Sequence, residues 1–380
     1  MDFSHTEERQ MLADMVGRFV RDEYDIETRH ANARSDDGFS RAHWSQLAEL
    51  GLIGALFPES CGGFGGTGFD ISVVFEQLGG GLVVEPFLAN LLAGTALAAS
   101  GTHSDVLDEV MAGNCLLAYA HGEPASRYSL SQVETVAQKS GSGYRLNGNK
   151  AVVISGDTAN KLVVSARTAG GNDATDGISL FLVPADADGI HIRSYPTIDG
   201  YRAAEIALKD VEVPADSLIG VEGQAIALIE QVNAAGTLAV SAEALGAIDV
   251  GIEMTLDYLK TRKQFGVPIG KFQALQHRMA DMMTEREQIR SALINAAGNL
   301  QSDQRDWHMS ALKNLIGRAG RSIAEECIQM HGGIAMTFEY AVGHYAKRVV
   351  MIDHMFGDED HHLQRIIKLG AIAATAAATA

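Results

Sequence analysis

The stretch Thr261-Arg262-Lys263-Gln264-Phe265-Gly266-Val267-Pro268-Ile269-Gly270-Lys271-Phe272-Gln273 gathers side chains that suit a nucleotide. Arg262 offers a planar fork of N–H donors for phosphate oxygens, Phe265 a flat aromatic face, and Gln273 an amide that both donates and accepts. A pyrophosphate, a flat ring and a polar base edge are what an adenine dinucleotide presents. An isolated R-x-x-F-G is more often only a solvated basic turn. This one has company, because Gln329-Met330-His331-Gly332-Gly333 closes another helical run and adds an amide and a bare backbone.

Two helices must hold the first stretch. Upstream, Leu245, Ile248, Ile252, Leu256 and Leu259 recur at three and four residues, the spacing of one apolar helix face. Gly266 and Pro268 end that run, and Phe272, Leu275, Met279 and Met282 begin another, which predicts a helical hairpin with a basic tip.

These residues resemble the acyl-CoA dehydrogenase family, whose members carry R-x-x-F-G-x-P-I followed by F-Q, and later Q-x-x-G-G with E-Y beyond, here Glu339-Tyr340. The resemblance implies that Arg262, Phe265, Gln273, Gln329, Gly332 and Gly333 contact the pyrophosphate and adenosine of FAD, bound mainly by a neighbouring subunit. It also implies an acyl-CoA substrate, an electron-transfer flavoprotein as oxidant, and assembly as a dimer or tetramer with itself or with a homologous second subunit.

Composition agrees with a sizeable packed core. The chain has 380 residues, 46% apolar and 21% charged, enough for two or three domains. A net charge of −18 argues against nucleic acid or an anionic membrane as principal partner. The start, Met1-Asp2-Phe3-Ser4, lacks the pattern of a secretion signal and no uninterrupted apolar run reads as a membrane span, so a cytoplasmic location is expected. Cys61, Cys115 and Cys327 are too few and too scattered to suggest disulfides or a zinc site.

In chain order, Ser4 and Glu7 form a capping-box pattern before an amphipathic helix, and a second helix is expected from Ser40 to Leu50 with Gly51 as terminator. The glycines from Gly62 to Gly66 lack the G-x-G-x-x-G order of a phosphate cradle and read as a structural turn. Short strand-like runs then follow: Cys115 to Tyr119, Val133 to Gln138, Tyr144 to Leu146, Ala151 to Ile154, Leu162 to Ala166, Ile178 to Val183, Ile190 to Tyr195 and Ala204 to Val211. Asn147-Gly148 predicts a hairpin turn. Beyond Gly223 helices return. The expected fold class is α+β, mainly α: a helical N-terminal domain over 1–113, a central β-barrel or sandwich over 114–222, and a C-terminal four-helix bundle over 223–380. It is the acyl-CoA dehydrogenase fold that the resemblance implies.

The resemblance also implies a carboxylate that removes the α-proton while hydride leaves Cβ for the flavin. Counting twenty-seven residues on from Gln329 reaches Phe356, and counting twenty-six back from Arg262 reaches Gly236, so neither usual position holds an acid. Asp358 and Glu359 are the nearest displaced candidates; Glu243 and Glu230 lie on the helix with Gly236, and Glu243 is roughly 10 Å from it by helical rise. Other flavin-facing positions have changed too. Gly122 stands for a hydroxyl, Val152 for a tryptophan and Ile154 for a threonine. Keeping the half-site lent to a neighbour while losing its own half resembles the small subunit of the heteromeric pimeloyl-CoA or steroid side-chain type, as does Phe356-Gly357-Asp358-Glu359-Asp360-His361-His362. An alternative is a non-catalytic partner completing a related subunit's FAD site. The His354, His361 and His362 cluster could converge on a metal, but Gly357 ending one helix and Asp358 capping the next is the stronger reading, and no metal ligands are assigned.

Overall fold

The computed structural model describes residues 6–379, with side chains described to residue 371. Six helices open the chain: α1 (Glu7–Glu23), α2 (Ile26–Arg34), α3 (Arg41–Glu49), α4 (Gly68–Gly81), α5 (Phe87–Ser100) and α6 (Ser104–Met111). Eight strands follow: β1 (Leu117–Ala120), β2 (Val136–Ser140), β3 (Gly143–Ile154), β4 (Lys161–Arg167), β5 (Ile178–Pro184), β6 (Ile190–Pro196), β7 (Arg202–Pro214) and β8 (Leu218–Ile219). The remainder is α7 (Ile226–Thr261), a two-residue pair β9 (Lys263–Gln264) and β10 (Val267–Pro268), then α8 (Gln273–Gly298), α9 (Arg305–Leu315), α10 (Arg321–His331), α11 (Val342–Asp353) and α12 (Glu359–Thr379).

Local chemistry sets the boundaries. Thr6 caps α1 by accepting from the Arg9 amide at 3.4 Å, whereas the expected cap Ser4 lies outside the described residues. Ser40 caps α3 through the His43 amide at 3.2 Å, and Gly51 follows it with φ +78°. The Gly62–Gly66 segment is a structural turn: a Cβ on Gly63 or Gly65 would overlap the Phe57 or Ala55 carbonyl.

The chain divides into two compact units, one of residues 1–30, 68–83 and 237–380, the other of 31–67 and 84–236. In the second, an eight-stranded sheet runs β6-β7-β3-β2-β4-β5-β8, with β1 parallel to β4. Ala118, Leu146, Val164, Phe181, Ile206 and Val213 belong to one buried cluster, so the sheet curves around a single core. Asn147-Gly148 is not a turn. The two predicted strands on either side are one strand, β3, paired with both β2 and β7, and Asn147-Gly148 forms a bulge within it. The Asn147 side chain is bonded to Asp210 at both its oxygen and its nitrogen, and a Cβ on Gly148 would overlap Thr135, so close approach rather than positive φ explains the glycine. The β2–β3 reversal lies instead at Gly141, φ +56°. Arg167 at the end of β4 spends all five N–H donors on main-chain carbonyls, those of Ser131, Val133, Asn172, Ala174 and Asp176.

The helix α7 is 36 residues and about 54 Å long, and its residues 237–261 belong to the first unit. By length and mean hydropathy it could cross a bilayer, but its apolar stretch is interrupted by Glu230 and Glu243 and is mostly buried within the protein. Glycines let α4 approach closely, since a Cβ on Gly79 or Gly246 would overlap the carbonyl of Glu243 or Glu76. The buried face of α7 includes Leu245, Ile248, Gly251, Thr255 and Leu259, while Ile252 is half-buried and Leu256 exposed, a rotation from the predicted stripe. Asp249 of α7 pairs with Arg286 and Arg290 of α8 at 2.6 and 2.7 Å. A single π turn, Ile316–Gly320, joins α9 to α10.

Candidate functional site

The predicted hairpin tip forms where α7 ends. The Arg262 amide still bonds the Tyr258 carbonyl at 2.8 Å, and the Ile269 amide returns to the Arg262 carbonyl at 2.8 Å. Between them β9 and β10 pair across a two-residue turn, Phe265-Gly266, whose φ values are +53° and +79°. Both positive values match the tight turn that suits a twisted hairpin. A bulky residue in that region is strained, and such strain collects at functional sites. The Phe265 side chain is 92% exposed and meets Phe272 edge-on at 6.1 Å between ring centres.

The second motif sits at the end of α10. Gly332 takes φ +69°, and a Cβ on Gly332 or Gly333 would meet nothing within 4 Å, leaving this backbone open. His331 is buried and donates from Nδ1 to the Cys327 carbonyl at 2.8 Å. Burial lowers the pKa of its imidazole. Its ring lies 4.6 Å from that of Tyr258, one turn before Arg262, and 5.1 Å from that of Tyr340. This aromatic trio brings the two motif loops together, and Arg262, Phe265, Gln273, Gln329, Gly332 and Gly333 are all exposed.

The acidic turn before α12 is built otherwise. Phe356 and Gly357 take φ +59° and +113°. Asp358 accepts from the His361 amide at 2.9 Å and starts α12, with Glu359 and Asp360 in its first turn, where the helix dipole favours negative charge. Glu359 also lies 3.4 Å from Arg321. His362 is buried, bonds the Phe356 carbonyl at 3.1 Å, and is pushed down to about 3 by burial, with Lys313 and His361 adding to the effect. Among the described residues no group of three His, Cys, Asp or Glu is arranged to hold a metal ion. Gly236 is buried in α7, and Glu230 is half-buried on the same helix. Glu243 forms a buried bidentate pair with Arg348 of α11, both contacts 2.7 Å, so its carboxylate is committed to a structural partner.

In the second unit, the strand ends carrying His121, Gly122 and Glu123 are tied down by a buried cation. Lys150 Nζ reaches Glu123 Oε1 at 2.6 Å, Ser165 Oγ at 2.9 Å and the His121 carbonyl at 3.3 Å. Glu123 also accepts from the Glu134 and Thr135 amides at 2.6 and 3.1 Å. Burial pushes Lys150 down to about 8 against the pull of Glu123, while burial and the Lys150 charge push His121 down to about 3. Gly122 offers no side chain, Ile154 is half-buried, and Val152 is 58% exposed at φ +53° beside a bulge in β3. Ser126 is buried and bonded to both the amide and the carbonyl of Glu123.

Sequence reading missed the Tyr258–His331–Tyr340 trio and both buried pairs. Their partners are 73 and 105 residues apart for Tyr258–His331 and Glu243–Arg348, and no local spacing reports such pairing. The signal that was available is a lone Lys150 inside an otherwise β-rich run.

The family models for the acyl-CoA dehydrogenase N-terminal, middle and C-terminal domains match residues 6–105, 118–211 and 227–369. The probable acyl-CoA dehydrogenase YngJ of Bacillus subtilis is 29% identical, over 97% of this chain and 98% of its own. The solved structure of a Tcur3481-Tcur3483 steroid ACAD variant is similar at 30% identity and TM-score 0.87, covering 97% of this chain and 99% of that one. The ChsE4-ChsE5 complex from Mycobacterium tuberculosis is similar at 26% identity and TM-score 0.88, covering 98% and 99%.

Proposed function

We propose, because this chain belongs to the acyl-CoA dehydrogenase family, that it takes part in FAD-dependent α,β-dehydrogenation of an acyl-CoA thioester as one subunit of a heteromeric enzyme. Its fold is the three-domain fold of that family, and the boundaries we assign are 1–113, 114–222 and 223–380. Support for a paired assembly comes from the relatives, two of which are a complex of two named chains and a paired steroid ACAD. A steroid side-chain or dicarboxylic CoA ester, an electron-transfer flavoprotein as oxidant, and a cytoplasmic setting complete the proposal.

The observation that carries this reading is the exposure of all six candidate residues around one pair of loops. They fit the adenosine and pyrophosphate end of FAD: Arg262 supplies the charge, Phe265 an uncovered face, Gln273 and Gln329 amide edges, and Gly332-Gly333 an approachable backbone. Gly122, Val152 and Ile154 offer the flavin ring neither hydroxyl nor aromatic group, which favours a partner supplying the other half. Bound FAD supplies the acceptor for hydride. In this chain Asp358 or Glu359 would take the α-proton, each at the cost of its present helix-start role.

A second reading, a non-catalytic subunit completing its partner's FAD site, is favoured by the absence of an acid at Phe356 and Gly236 and by the engagement of Glu243 with Arg348. Visible spectra of the chain alone and co-purified with a related subunit, followed by flavin bleaching with candidate thioesters, test both. One FAD per protomer and full turnover by the chain alone would overturn the paired assembly. Bleaching unchanged by Asp358→Asn and Glu359→Gln would favour the non-catalytic subunit.

A further inference from the structure

The five-residue connection 354–358 between α11 and α12, with the flanking helix ends Asp353 and Glu359, is gripped from one side by two consecutive residues of α9. Lys313 is fully buried, and its ammonium donates to the carbonyls of Asp353 at 2.8 Å and Gly357 at 2.7 Å. Asn314 donates to the Glu359 carbonyl at 3.0 Å. From α12 the His362 ring donates from Nε2 to the Phe356 carbonyl at 3.1 Å, and the Asp353 carboxylate accepts from the Glu359 amide at 3.2 Å.

The supporting helix is adapted to this grip. The π turn begins three residues after Lys313, and a Cβ on Gly317 would overlap the Asp353 carboxylate and stand 3.0 Å from Glu359 Cβ. Such turns interrupt regular helix bonding and recur at functional sites. From the other side, Arg348 locks α11 to α7 through Glu243, and its Nη1 lies 3.9 Å from the Met355 sulfur. A buried ammonium is costly unless its donors are satisfied. Burial pushes Lys313 down to about 8, with Asp353 and Asp358 opposing. What this cation holds is a turn carrying Phe356 in a left-handed conformation and Asp358 at the next helix start.

We infer that Lys313, backed by Asn314, is a positioning residue that fixes the Asp353–Glu359 turn and so sets where Phe356 and Asp358 stand toward the acyl-CoA. The last step rests on the dehydrogenase reading; the hold on the turn does not.

The test is hydrogen–deuterium exchange of amides 354–362 in the full chain with its related subunit, for wild type, Lys313→Met and Asn314→Ala, paired with thioester titrations of flavin bleaching. Lys313→Met accelerates exchange of this turn roughly tenfold or more, and Asn314→Ala by a few-fold, while the amides of α7 keep their wild-type rates. The half-saturating thioester concentration rises in the same order, with FAD content per protein unchanged. A purely structural lysine would instead lower FAD content and leave half-saturation unmoved in the folded fraction. Unchanged exchange at 354–362, or acceleration spread evenly through α7 to α12, overturns the inference. If Lys313→Met does not fold, Asn314→Ala decides it by the same two measurements. Accelerated exchange in a protein whose wild-type flavin no thioester bleaches leaves the hold on the turn standing and removes the dehydrogenase reading. Wild-type bleaching matched by both variants at the same thioester concentration removes the positioning role and leaves that reading standing.

Discussion

The hairpin tip at Phe265 and the strand ends at Glu123 use polar chemistry in opposite ways. At the tip, Arg262, Gln273 and Gln329 face solvent, and the fold spends little to keep them there beyond one strained turn and an aromatic trio. At the strand ends, Lys150, Glu123 and Ser165 are buried and bonded to one another. One region leaves its donors exposed, and the other consumes them to hold a backbone. The difference teaches that similar polar side chains can stand open to solvent on one element and form an internal frame on another.

The largest expected effect breaks that frame. Lys150→Met leaves the Glu123 carboxylate buried without its cation and should cost about 3–5 kcal/mol in urea denaturation, with Lys150→Met/Glu123→Gln recovering much of the loss. The tip should respond in the other currency. Arg262→Met should change stability by no more than about 0.5 kcal/mol, yet weaken FAD retention roughly 10- to 100-fold, as loss of a charge-assisted phosphate contact implies. Gel filtration followed by the visible spectrum reads the second quantity.

Acid should act through the buried histidines. His121 and His362 are buried neutral, with folded pKa values lowered from about 6.5 to about 3. The unfolded chain therefore binds more protons between those values, so stability falls as pH drops through that window and is fully retained above it. Each histidine contributes about 1.4 kcal/mol per pH unit in the middle of the range. Melting curves at pH 7.5, 5.5 and 4.5 should show this slope, and His362→Gln should flatten it. A modest effect belongs to the strained turn: Phe265→Asn, which tolerates the left-handed conformation, should stabilise by about 0.5–1 kcal/mol while loosening FAD.

Much of this was legible locally. Ser40, Gly51 and the cap at Asp358 are helix boundaries set by their own side chains or backbone freedom, and the β-rich runs fell close to real strands because alternation records burial. Asn147-Gly148 misled because the same dipeptide that suits a two-residue turn also suits a bulge, and only the β7 neighbour Asp210 and the adjacent Thr135 decide between them. The six candidates fall in two contiguous motifs, one at the tip and one at the end of α10, and all six are exposed. Glu243 looked available as an acid because its partner Arg348 is distant in sequence. Long-range pairing, not local propensity, is where the reading stopped.

Arg167 carries a consequence for how this protein can change over generations. Because its guanidinium grips only peptide oxygens, at residues 131, 133, 172, 174 and 176, the side chains at those five positions take no part in the grip. Asn172 and Asp176, which are exposed, can trade their side chains while the backbone keeps its path, whereas Val133 is also held by its burial. Diversity at the two exposed positions is inexpensive, and a single replacement at residue 167 would remove the tolerance from both at once.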